Sequence, residues 1–418
     1  MKRYFYALLF LFMFLASPKA GFIDAEAYAA IGSSESYFKI AVVRNASKID
    51  VSNVDYNASK EYCRLFERNK IAKNFTVSVS CSGGSLAVNG KKVGAASVLI
   101  YPKKNSYLKI NSKPYRGKFL IKVDSGSVTA INHVALEDYL KAVVPSEMEQ
   151  NADIEALKAQ AVVARTYALA TRGKHKAAGF DLCNTTCCQV YKGVSEENPR
   201  TSKAVDGTRA QVIYHSGKLI NAYYSASCGG YTESVEEAWP GALAVRYARV
   251  IECPHCKKDA KMSWTYKISQ EEFVRKMRKA GFAINGVDSA RLYDKTRSGR
   301  FNTVEMKGSF GTLYYSAEIF RKVFGNNNIK SSFFNIVIDR PKSVTKNFKF
   351  NEIDDIIKAR NDYNNDLLNG HITFKGSGYG HGVGMCQHGA KKIAASGGNF
   401  RQIINYYFTK EVNIKKIY

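Results

Sequence analysis

The segment from Val134 to Leu169 constrains the fold of this 418-residue chain more than any other part of the sequence. It reads as a strand-like run that ends at Pro145, followed by a lone carboxylate at Glu147 and then by a long amphipathic helix. Asp153 is a suitable N-cap for that helix. The sequence therefore predicts a central helix with an acidic side chain at a turn in front of it.

The predicted helix has only a thin polar side, which is typical of a helix near the centre of its domain. Gly173 is a suitable stop for it. Lys158 and Arg165 lie together along one flank of the apolar stripe, and an acid backed by two cations on a rigid helix suits proton transfer. The apolar residues that recur at helical spacing are Ile154, Leu157, Ala161, Ala164 and Ala168.

Alternating apolar runs with Gly and Asn-Gly turns predict strands on both sides of this segment. Those before it lie at 38–43, 48–52, 97–101, 108–110 and 118–123. After it we expect short strands and loops over 181–250 and a β section over 291–338, followed by an Asn- and Asp-rich insertion near 351–369. The pattern predicts an α+β fold.

The chain is strongly basic, with 62 Lys and Arg against 36 Asp and Glu and a net charge of +26. Such an excess indicates an anionic partner, which could be nucleic acid, a membrane surface or an acidic wall polymer. Nucleic acid is the weaker interpretation because no zinc-finger, RRM or helix-turn-helix pattern accompanies the charge. A lysine-rich proteome is the alternative explanation of the excess.

The first twenty residues have the form of a secretory signal peptide. Lys2 and Arg3 precede an apolar run over 4–16, and small residues end the segment at Ala20. Pro18 makes the cleavage site imperfect, so an uncleaved membrane anchor formed by residues 4–16 stays open. We expect an exported protein in the periplasm, the cell wall or the extracellular space.

Four blocks of sequence follow one another in an order that resembles the SpoIID/LytB family. They are VALEDYLKAVVPSEM at 134–148, IEALKAQAVVARTYAL at 154–169, YYSASCGG at 223–230 and GSGYGHGVGMCQHGA at 376–390. The sporulation member of that family is a lytic transglycosylase of bacterial cell-wall glycan. The resemblance implies a mixed α/β SpoIID-like catalytic domain over 108–418, preceded by a variable β-rich region over 21–107.

The resemblance implies cleavage of the β-1,4 bond between N-acetylmuramic acid and N-acetylglucosamine. The muramic 6-hydroxyl attacks its own anomeric carbon and leaves a 1,6-anhydro end, so the second carboxylate of ordinary glycosidases is not needed. Glu147 occupies the family's catalytic glutamate position. As the only acid and base it must begin protonated, which a partly apolar pocket favours. The alternative is a surface glutamate in a loop before a helix.

Five further residues are candidate substrate contacts. They are Lys158, Gln189, Tyr191, Ser225 and His381. By resemblance Lys158 matches a position implicated in activity, and its alternative role is an i,i+3 partner for Glu155. Arg165 is expected to anchor the helix to a neighbouring loop rather than to contact sugar.

The other candidates also have structural alternatives. Gln189 and Tyr191 would hydrogen-bond and stack on glycan, although Tyr191 fits a core position equally well. Ser225 would offer a hydroxyl to the sugar, or is a plain turn serine. His381 lies in a glycine-rich turn that allows close backbone approach to a polymer, where it would assist binding or orient Glu147, or be structural.

Nine cysteines raise a choice between metal and disulfides. Several cysteines have the spacing of metal ligands. In the family that the chain resembles, some members hold a structural zinc through Cys and His. Together these observations define a pool of cysteines, of which about four would bind zinc. The pool is Cys183, Cys187, Cys188, Cys228, Cys253 and Cys256. Disulfides are the rival, with Cys183–Cys228 and Cys253–Cys256 as examples, and free thiols are the third possibility. Cys63 and Cys81 are a separate disulfide candidate, and Cys386 is expected to be buried and inert.

Two functions stay open. The first is an exported lytic transglycosylase that prefers glycan stripped of its stem peptides, which implies an amidase partner acting before it. The second is a non-catalytic wall-binding protein that enhances an N-acetylmuramoyl-L-alanine amidase, as the LytB label suggests for some relatives. Nucleic-acid binding through bulk charge conflicts with the signal peptide.

Overall fold

The computed structural model describes residues 37–54, 76–103, 105–257, 259–308, 311–339, 370–409 and 411–417. The predicted signal peptide, Cys63 and the insertion at 351–369 lie outside these residues. No helix in the described part of the chain is long and apolar enough to cross a membrane. The described residues combine several sheets with helices, so the predicted α+β fold is confirmed.

The chain forms two compact units. The first contains the described residues up to Glu149, together with Ala164–Asn221 and Ile414–Tyr418, and the second contains Gln150–Val163 and Ala222–Asn413. The predicted boundary at residue 108 separates a variable region from a family domain, and these are not the same as the two compact units. That boundary stays a prediction.

The first unit is built around two sheets in which most neighbouring strands are antiparallel. Its strands are β1 (Tyr37–Ala46), β2 (Lys48–Ser52), β3 (Val77–Ser82), β4 (Ser85–Val88), β5 (Lys91–Lys92), β6 (Ser97–Ile100), β7 (Leu108–Ile110), β8 (Lys113–Tyr115), β9 (Lys118–Asp124), β10 (Ser127–Ala135), β11 (Leu182–Cys183), β12 (Gln211–His215) and β13 (Lys218–Leu219). One sheet has the order β11-β1-β10-β9-β6 and the other β5-β4-β3-β2-β7-β8. The strands predicted near residues 38, 48, 97, 108 and 118 are all confirmed.

Alternation of buried apolar side chains explains the five-stranded sheet, because successive residues of a strand point to opposite faces. Phe38 and Ile40 of β1 are fully buried, and Phe38 lies opposite Val134 of β10. Gly117 precedes β9 at φ +79°, and a Cβ there would lie 2.2 Å from the carbonyl oxygen of His133. Glycine is therefore required where this turn passes β10.

Three helices follow in the first part of the chain: α1 (Leu136–Glu147), α2 (Ile154–Ala170) and α3 (Pro199–Gly207). The prediction of α2 is confirmed, since Asp153 caps it by accepting the Glu155 N–H at 2.8 Å and Gly173 follows its end at φ +80°. Residues 159–169 are buried, as expected for a central helix. By the grouping into units, α2 contributes residues 154–163 to the second and 164–170 to the first.

The prediction that a strand-like run ends at Pro145 is wrong, because this stretch is the helix α1. Leu136, Leu140, Val143 and Val144 recur at helical spacing and are all buried. Pro145 lies in the last turn, where the missing N–H removes only one intrahelical hydrogen bond. Tertiary burial of this apolar face outweighs the local β preference of the two valines.

The described part of the second unit holds three small sheets and a separate aromatic core. Its strands are β14 (Tyr224–Ser225), β15 (Ser263–Ser269), β16 (Ser289–Lys295), β17 (Phe301–Gly308), β18 (Gly311–Ser316), β19 (Phe334–Asp339), β20 (His371–Ser377) and β21 (Met385–Cys386). Its helices after α2 are α4 (Val235–Ala238), α5 (Pro254–Lys257), α6 (Gln270–Lys279), α7 (Ala317–Phe324), α8 (Gln387–Ala395) and α9 (Phe400–Tyr407). The sheet orders are β14-β21, β15-β20-β19 and β16-β17-β18.

Helices α6 and α7 pack on these sheets through Phe273 and Phe320, whose ring centroids are 6.2 Å apart. Both rings contact Phe374 of β20, and all three side chains are fully buried. A last strand, β22 (Asn413–Lys416), joins β12 and β13 in a three-stranded sheet. Aromatic packing thus gives the second unit a core of its own.

Candidate functional site

Glu147 is the last residue of α1 and its side chain is partly exposed. Its Oε1 accepts a hydrogen bond from the backbone N–H of Val190 at 2.6 Å. The helix end is regular, because the N–H of Met148 donates to the carbonyl of Val144. The carboxylate is therefore held by main chain while part of it stays accessible, which is what a proton-transfer group requires.

The residues on either side of Val190 point into the interior. Gln189 is fully buried, accepts from the Tyr139 hydroxyl at 3.2 Å and donates to a carbonyl of α2. Tyr191 is 2% exposed and donates to Asn132 at 2.8 Å. Burial holds the pKa of Tyr139 and of Tyr191 well above the ordinary value, so both remain hydroxyl donors. The predicted sugar contacts at Gln189 and Tyr191 are thus closed off from solvent, and the core alternative stated for Tyr191 matches its position.

Lys158 lies on α2 beside Glu155, in the i,i+3 pair that was its alternative role. Its Nζ is 2.6 Å from Glu155 Oε1, and the other carboxylate oxygen accepts the Phe400 N–H at 2.9 Å. Burial opposes ionisation of Glu155, but these hydrogen bonds outweigh it and lower the pKa of Glu155. The lysine side chain remains 28% exposed, so its ammonium still faces solvent in part.

Arg165 anchors α2, as the sequence predicted, although its main partner lies in helix α1 rather than in a loop. Its guanidinium is fully buried and donates two hydrogen bonds to Glu137 of α1, at 2.9 and 2.7 Å. It also donates to the carbonyl oxygens of Val205 and Gln211. A bidentate arginine–carboxylate pair of this kind fixes α2 against α1, and complete burial keeps the guanidinium away from solvent.

Ser225 lies in β14, which pairs in parallel with β21 so that Ser225 is opposite Cys386. The side chain is 6% exposed, and its Oγ has no hydrogen-bond partner in the described part of the protein. Gly380 passes close by, since a Cβ there would lie 3.0 Å from that of Ser225. An unpartnered buried hydroxyl costs free energy unless something binds it, so Ser225 is a candidate ligand contact.

His381 lies in the glycine-rich turn before β21 and packs against two aromatic rings. Its ring centroid is 5.1 Å from that of Trp239 and 6.2 Å from that of Tyr223. Burial and the charges of Arg321 and Arg300 lower the pKa of His381 to about 4, so the ring is neutral at physiological pH. Its Nδ1 accepts the Val383 N–H at 3.0 Å, which leaves the proton on Nε2.

Trp239 is a residue that sequence reasoning missed. It is 36% exposed and lies at the end of α4, with its ring against His381 and Tyr223. A partly exposed indole beside a neutral imidazole offers an apolar face and polar edges, as saccharide sites commonly need. The local signal was weak, because α4 is one turn long and a lone tryptophan has no periodicity.

The first cysteine cluster contains His175, Cys183, Cys187 and Cys188, whose ligand atoms all lie within 4.8 Å of one another. His175 Nε2 is 3.3 Å from Cys188 Sγ and 3.8 Å from Cys187 Sγ. The hydrogen bond between Cys183 and Cys188 lowers the pKa of Cys183 and raises that of Cys188. Three sulfurs and one imidazole nitrogen are a donor set typical of structural zinc.

The second cysteine cluster contains Cys228, Cys253, Cys256 and Cys386, which also lie within 4.8 Å of one another. All four are buried. Cys228 follows β14, Cys253 immediately precedes α5, Cys256 lies within α5, and Cys386 ends β21. The expectation that Cys386 is buried is confirmed, but it is a member of a cluster rather than an isolated thiol.

The prediction of a zinc site with about four ligands from one pool stays a prediction, but the structure does not keep the pool together. The six pool residues divide into two groups, and each is completed by a residue outside the pool, His175 in one and Cys386 in the other. The described cysteines are all free thiols, so neither Cys183–Cys228 nor Cys253–Cys256 is bonded. Cys81 is free and partly exposed, and its proposed partner Cys63 lies outside the described residues.

A cleft of about 800 Å³ opens in the second unit. Aromatic side chains in its lining are Tyr231, Trp264, Phe301, Phe333 and Phe334, and cationic ones are Lys295, Arg297 and Lys375. Below it, the buried carboxylate of Glu233 accepts from the hydroxyls of Thr296 and Ser298 at 2.7 and 2.6 Å. Aromatic faces between cations suit an anionic polymer that carries sugar rings.

The family model described as stage II sporulation protein, SpoIID, matches residues 124–215, a span that includes α1, Glu147, α2 and the first cysteine cluster. An uncharacterized protein of Brachyspira hyodysenteriae is 30% identical over 302 residues, which cover 72% of each chain. This chain belongs to the SpoIID family.

Two relatives with descriptive names are also similar to this SpoIID-family protein. The amidase enhancer of Bacillus subtilis is 28% identical over 369 residues, covering 81% of this chain and 50% of that protein. The stage II sporulation protein D of Bacillus amyloliquefaciens is 26% identical over 296 residues, covering 67% of this chain and 74% of that protein. The family resemblance predicted from four sequence blocks is confirmed.

Proposed function

We propose that this protein is an exported peptidoglycan lytic transglycosylase in which Glu147 is the only acid and base. The observation that carries the proposal is the partly exposed carboxylate at the end of α1, held by the Val190 N–H at 2.6 Å within the part of the chain that the SpoIID model matches. A relative named stage II sporulation protein D supports the assignment.

In the proposed reaction the Glu147 carboxyl donates its proton to the glycosidic oxygen as the bond from that oxygen to the anomeric carbon of muramic acid breaks. The muramic 6-hydroxyl then forms a new bond to the same carbon, and its proton passes to the carboxylate. The carboxyl group is thereby restored and no water is consumed. One group suffices because the nucleophile belongs to the substrate.

The backbone amide of Val190 has a positioning role in this scheme. A main-chain donor keeps Oε1 in place through both steps, whereas a flexible side-chain donor would cost ordering entropy. In the second unit, Ser225 and His381 stay proposed sugar contacts, because Ser225 has an unpartnered hydroxyl and His381 has a neutral ring. Lys158 stays a proposed contact through the exposed part of its ammonium group.

We also propose that His175, Cys183, Cys187 and Cys188 hold a structural zinc ion. Three thiols and an imidazole within 4.8 Å fit four-coordinate zinc. When bound, the ion would tie this segment of chain together. Val190 follows Cys188 by two residues, so a metal bound by the cluster would help to position the Val190 amide that holds Glu147.

The decisive experiment replaces the carboxyl group and keeps its shape. Glu147→Gln retains an oxygen that can accept the Val190 N–H but cannot transfer the proton, so release of anhydromuramyl products from peptide-free glycan should fall by about 10³-fold. Mass spectrometry of the products measures it. Glu149→Gln, an exposed glutamate two residues further along, is the matched control and should keep wild-type activity.

Absence of anhydromuramyl products from well-folded wild-type protein would exclude the lytic activity. Equal product formation by wild type and Glu147→Gln would show that another group transfers the proton. Circular dichroism and urea unfolding of the variant establish that a loss of activity is not a loss of fold.

A second candidate function is that of a wall-binding enhancer of an N-acetylmuramoyl-L-alanine amidase. The relative named amidase enhancer favours it, as does the aromatic and cationic cleft of the second unit. Either function agrees with export and with an amidase partner, and the charge of +26 would steer the protein to anionic wall polymer.

Pelleting with insoluble peptidoglycan tests the cleft as a wall-binding surface, and amidase stimulation separates the two functions. Lys295→Ala combined with Lys375→Ala removes two cations of the cleft and should weaken pelleting at low salt, while Lys267→Ala, exposed on the neighbouring strand, should not. Stimulation of an amidase by Glu147→Gln, undiminished from wild type and without glycan cleavage, would favour the enhancer.

A further inference from the structure

Four buried sulfurs of the second unit converge on one point, although they are far apart in sequence. Cys228, Cys253 and Cys386 are fully buried, and Cys256 is 1% exposed. All four Sγ atoms lie within 4.8 Å of one another, and those of Cys256 and Cys386 are 3.3 Å apart. Three separate segments of chain have to meet to bring them together.

Hydrogen-bond donors of the surrounding fold point at these sulfurs. The N–H groups of Cys228 and Gly389 lie 3.3 and 3.4 Å from Cys386 Sγ. The hydroxyl of Ser227 lies 3.4 Å from Cys256 Sγ, and that of Tyr407 the same distance from Cys253 Sγ. A neutral thiol is a weak acceptor, whereas a thiolate uses such donors fully, so the surroundings suit negatively charged sulfur.

The backbone is shaped to bring helix α8 close to the sulfurs. A Cβ at Gly389 would lie 2.8 Å from Cys253 Sγ and 1.9 Å from the Tyr407 hydroxyl oxygen. Only glycine fits at this position in the first turn of the helix. Cys386 itself caps α8, because its Sγ accepts the Gly389 N–H.

A buried cation lies beside the cluster. Arg300 is 2% exposed and donates through Nη2 to the carbonyl oxygen of Cys228 at 2.6 Å. Its Nη1 donates to Ser298 Oγ and to the carbonyl oxygen of Tyr231. Four thiolates around a divalent ion carry a net charge of about −2, and a guanidinium at this place offsets part of it.

We propose that Cys228, Cys253, Cys256 and Cys386 bind one zinc ion through four thiolates, at a site separate from the His175 cluster. Tetrahedral coordination at a zinc–sulfur distance of about 2.3 Å places the sulfurs about 3.8 Å apart. This separation lies between the 3.3 Å that separates the Sγ atoms of Cys256 and Cys386 and the 4.8 Å within which all four Sγ atoms lie. A closed set of four sulfurs without a free position is a structural site rather than a catalytic one.

The ion would join the segments that carry the candidate sugar contacts of the second unit. Cys386 lies opposite Ser225 in the β14–β21 pair, and His381 lies in the turn five residues before Cys386. Cys253 and Cys256 bring α5 to the same point. The site holds these segments in register whether or not the protein cleaves glycan, so it does not depend on the proposed function.

Metal content of anaerobically purified protein tests the site. Elemental analysis should show that Cys253→Ser and Cys386→Ser each lose about one zinc per chain relative to wild type, as expected for a four-ligand site. Cys81→Ser, which lies in neither cluster, is the matched control and should keep the wild-type content. Unchanged zinc in folded Cys253→Ser and Cys386→Ser would overturn the proposal.

Cobalt(II) distinguishes the two clusters by their ligands. In a Cys183→Ser/Cys188→Ser background, cobalt should still give the intense thiolate charge-transfer and visible bands of tetrahedral sulfur coordination, and addition of Cys386→Ser should abolish them. Bands that vanish already in the Cys183→Ser/Cys188→Ser protein would show that the second cluster binds no metal and would contradict the site.

A further test uses wild-type protein, so its result cannot be affected by a folding defect of a variant. Alkylation of the native protein, followed by peptide mapping, should modify the four cysteines faster after a chelator has removed the metal than before. Equal modification with and without chelator, or a mass showing the four cysteines oxidised to two disulfides, would overturn the proposal. None of these measurements uses glycan cleavage as its readout.

Discussion

Among the described residues, each unit has one buried arginine, and the two are neutralised in different ways. In the first unit Arg165 makes two hydrogen bonds to Glu137, at 2.9 and 2.7 Å. In the second unit Arg300 lies 4.0 Å from Glu233 and donates hydrogen bonds to Ser298 and to two backbone carbonyls. Only the first is a closed ion pair.

The difference indicates a separate structural role for each of the two arginines. Glu233 accepts hydrogen bonds from two hydroxyls and the Ser234 N–H, so Arg300 is not the only group that stabilises its carboxylate. Burial lowers the pKa of Arg300, and the charges of Glu233, Cys228 and Cys386 oppose that effect. The cation of the first unit therefore joins two helices, while that of the second supports the cysteine cluster.

The largest expected effect follows from breaking the closed pair. Arg165→Met removes the guanidinium that neutralises the buried Glu137 carboxylate, so the free energy of unfolding should fall by about 3–5 kcal/mol. Urea unfolding at neutral pH measures it. The double variant Arg165→Met/Glu137→Met should recover part of the loss, because it removes both buried charges. A loss below about 1 kcal/mol, the scale of an exposed pair, would contradict the assignment.

A smaller loss is expected for Arg300→Met. Since Glu233 keeps its hydroxyl donors, the cost is that of carbonyls left without a partner, about 1–3 kcal/mol. Unfolding should be measured with and without a chelator, and the effect should be larger for the metal-loaded protein. Arg249→Met, at a half-exposed pair with Glu236, should change stability by no more than about 1 kcal/mol. An effect of Arg300→Met that is equal in both conditions would separate this cation from the cysteines.

Two histidines extend the comparison to pH, one in each unit. Burial lowers the pKa of His133 and of His381 to about 4, aided in each case by nearby lysines or arginines. Because the unfolded chain binds these protons at an ordinary pKa of about 6.5, their contribution to stability is complete above that pH. It is lost as pH falls from about 6.5 towards 4.

His381→Asn keeps an acceptor for the Val383 N–H but cannot bind a proton. The stability it loses between pH 7 and pH 5 should be smaller than the loss of wild type, and the same should hold for His133→Asn. Urea unfolding at the two pH values gives the comparison. A fall equal to that of wild type in either variant would mean that this histidine titrates normally in the folded protein.

The smallest expected effect concerns Trp239 and rests on the proposed function. Trp239→Ala removes an aromatic face worth about 0.5–1.5 kcal/mol, so KM for glycan should rise about 2- to 10-fold with kcat little changed. Leu243→Ala, 82% exposed in the segment after Trp239, is the control and should leave KM unchanged. An unchanged KM in Trp239→Ala would remove this side chain from the candidate contacts.

Sequence reasoning identified α2, most strands and the family, because each has a local pattern or an ordered set of blocks. It misread α1, where adjacent valines before Pro145 favour a strand locally while burial of Leu136 and Leu140 favours a helix. It could not divide the cysteines, since Cys386 joins Cys256 only through folding across 130 residues. It also missed His175, which lies eight positions before Cys183, outside the short spacings that indicate zinc ligands.

The contact that holds Glu147 comes from the main chain of Val190 and not from its side chain. Every residue except proline supplies the same amide, so evolution is free to vary the identity of position 190 without moving the carboxylate. A saturation library at this codon should tolerate most replacements and reject proline, and aligned sequences will understate how much this position matters.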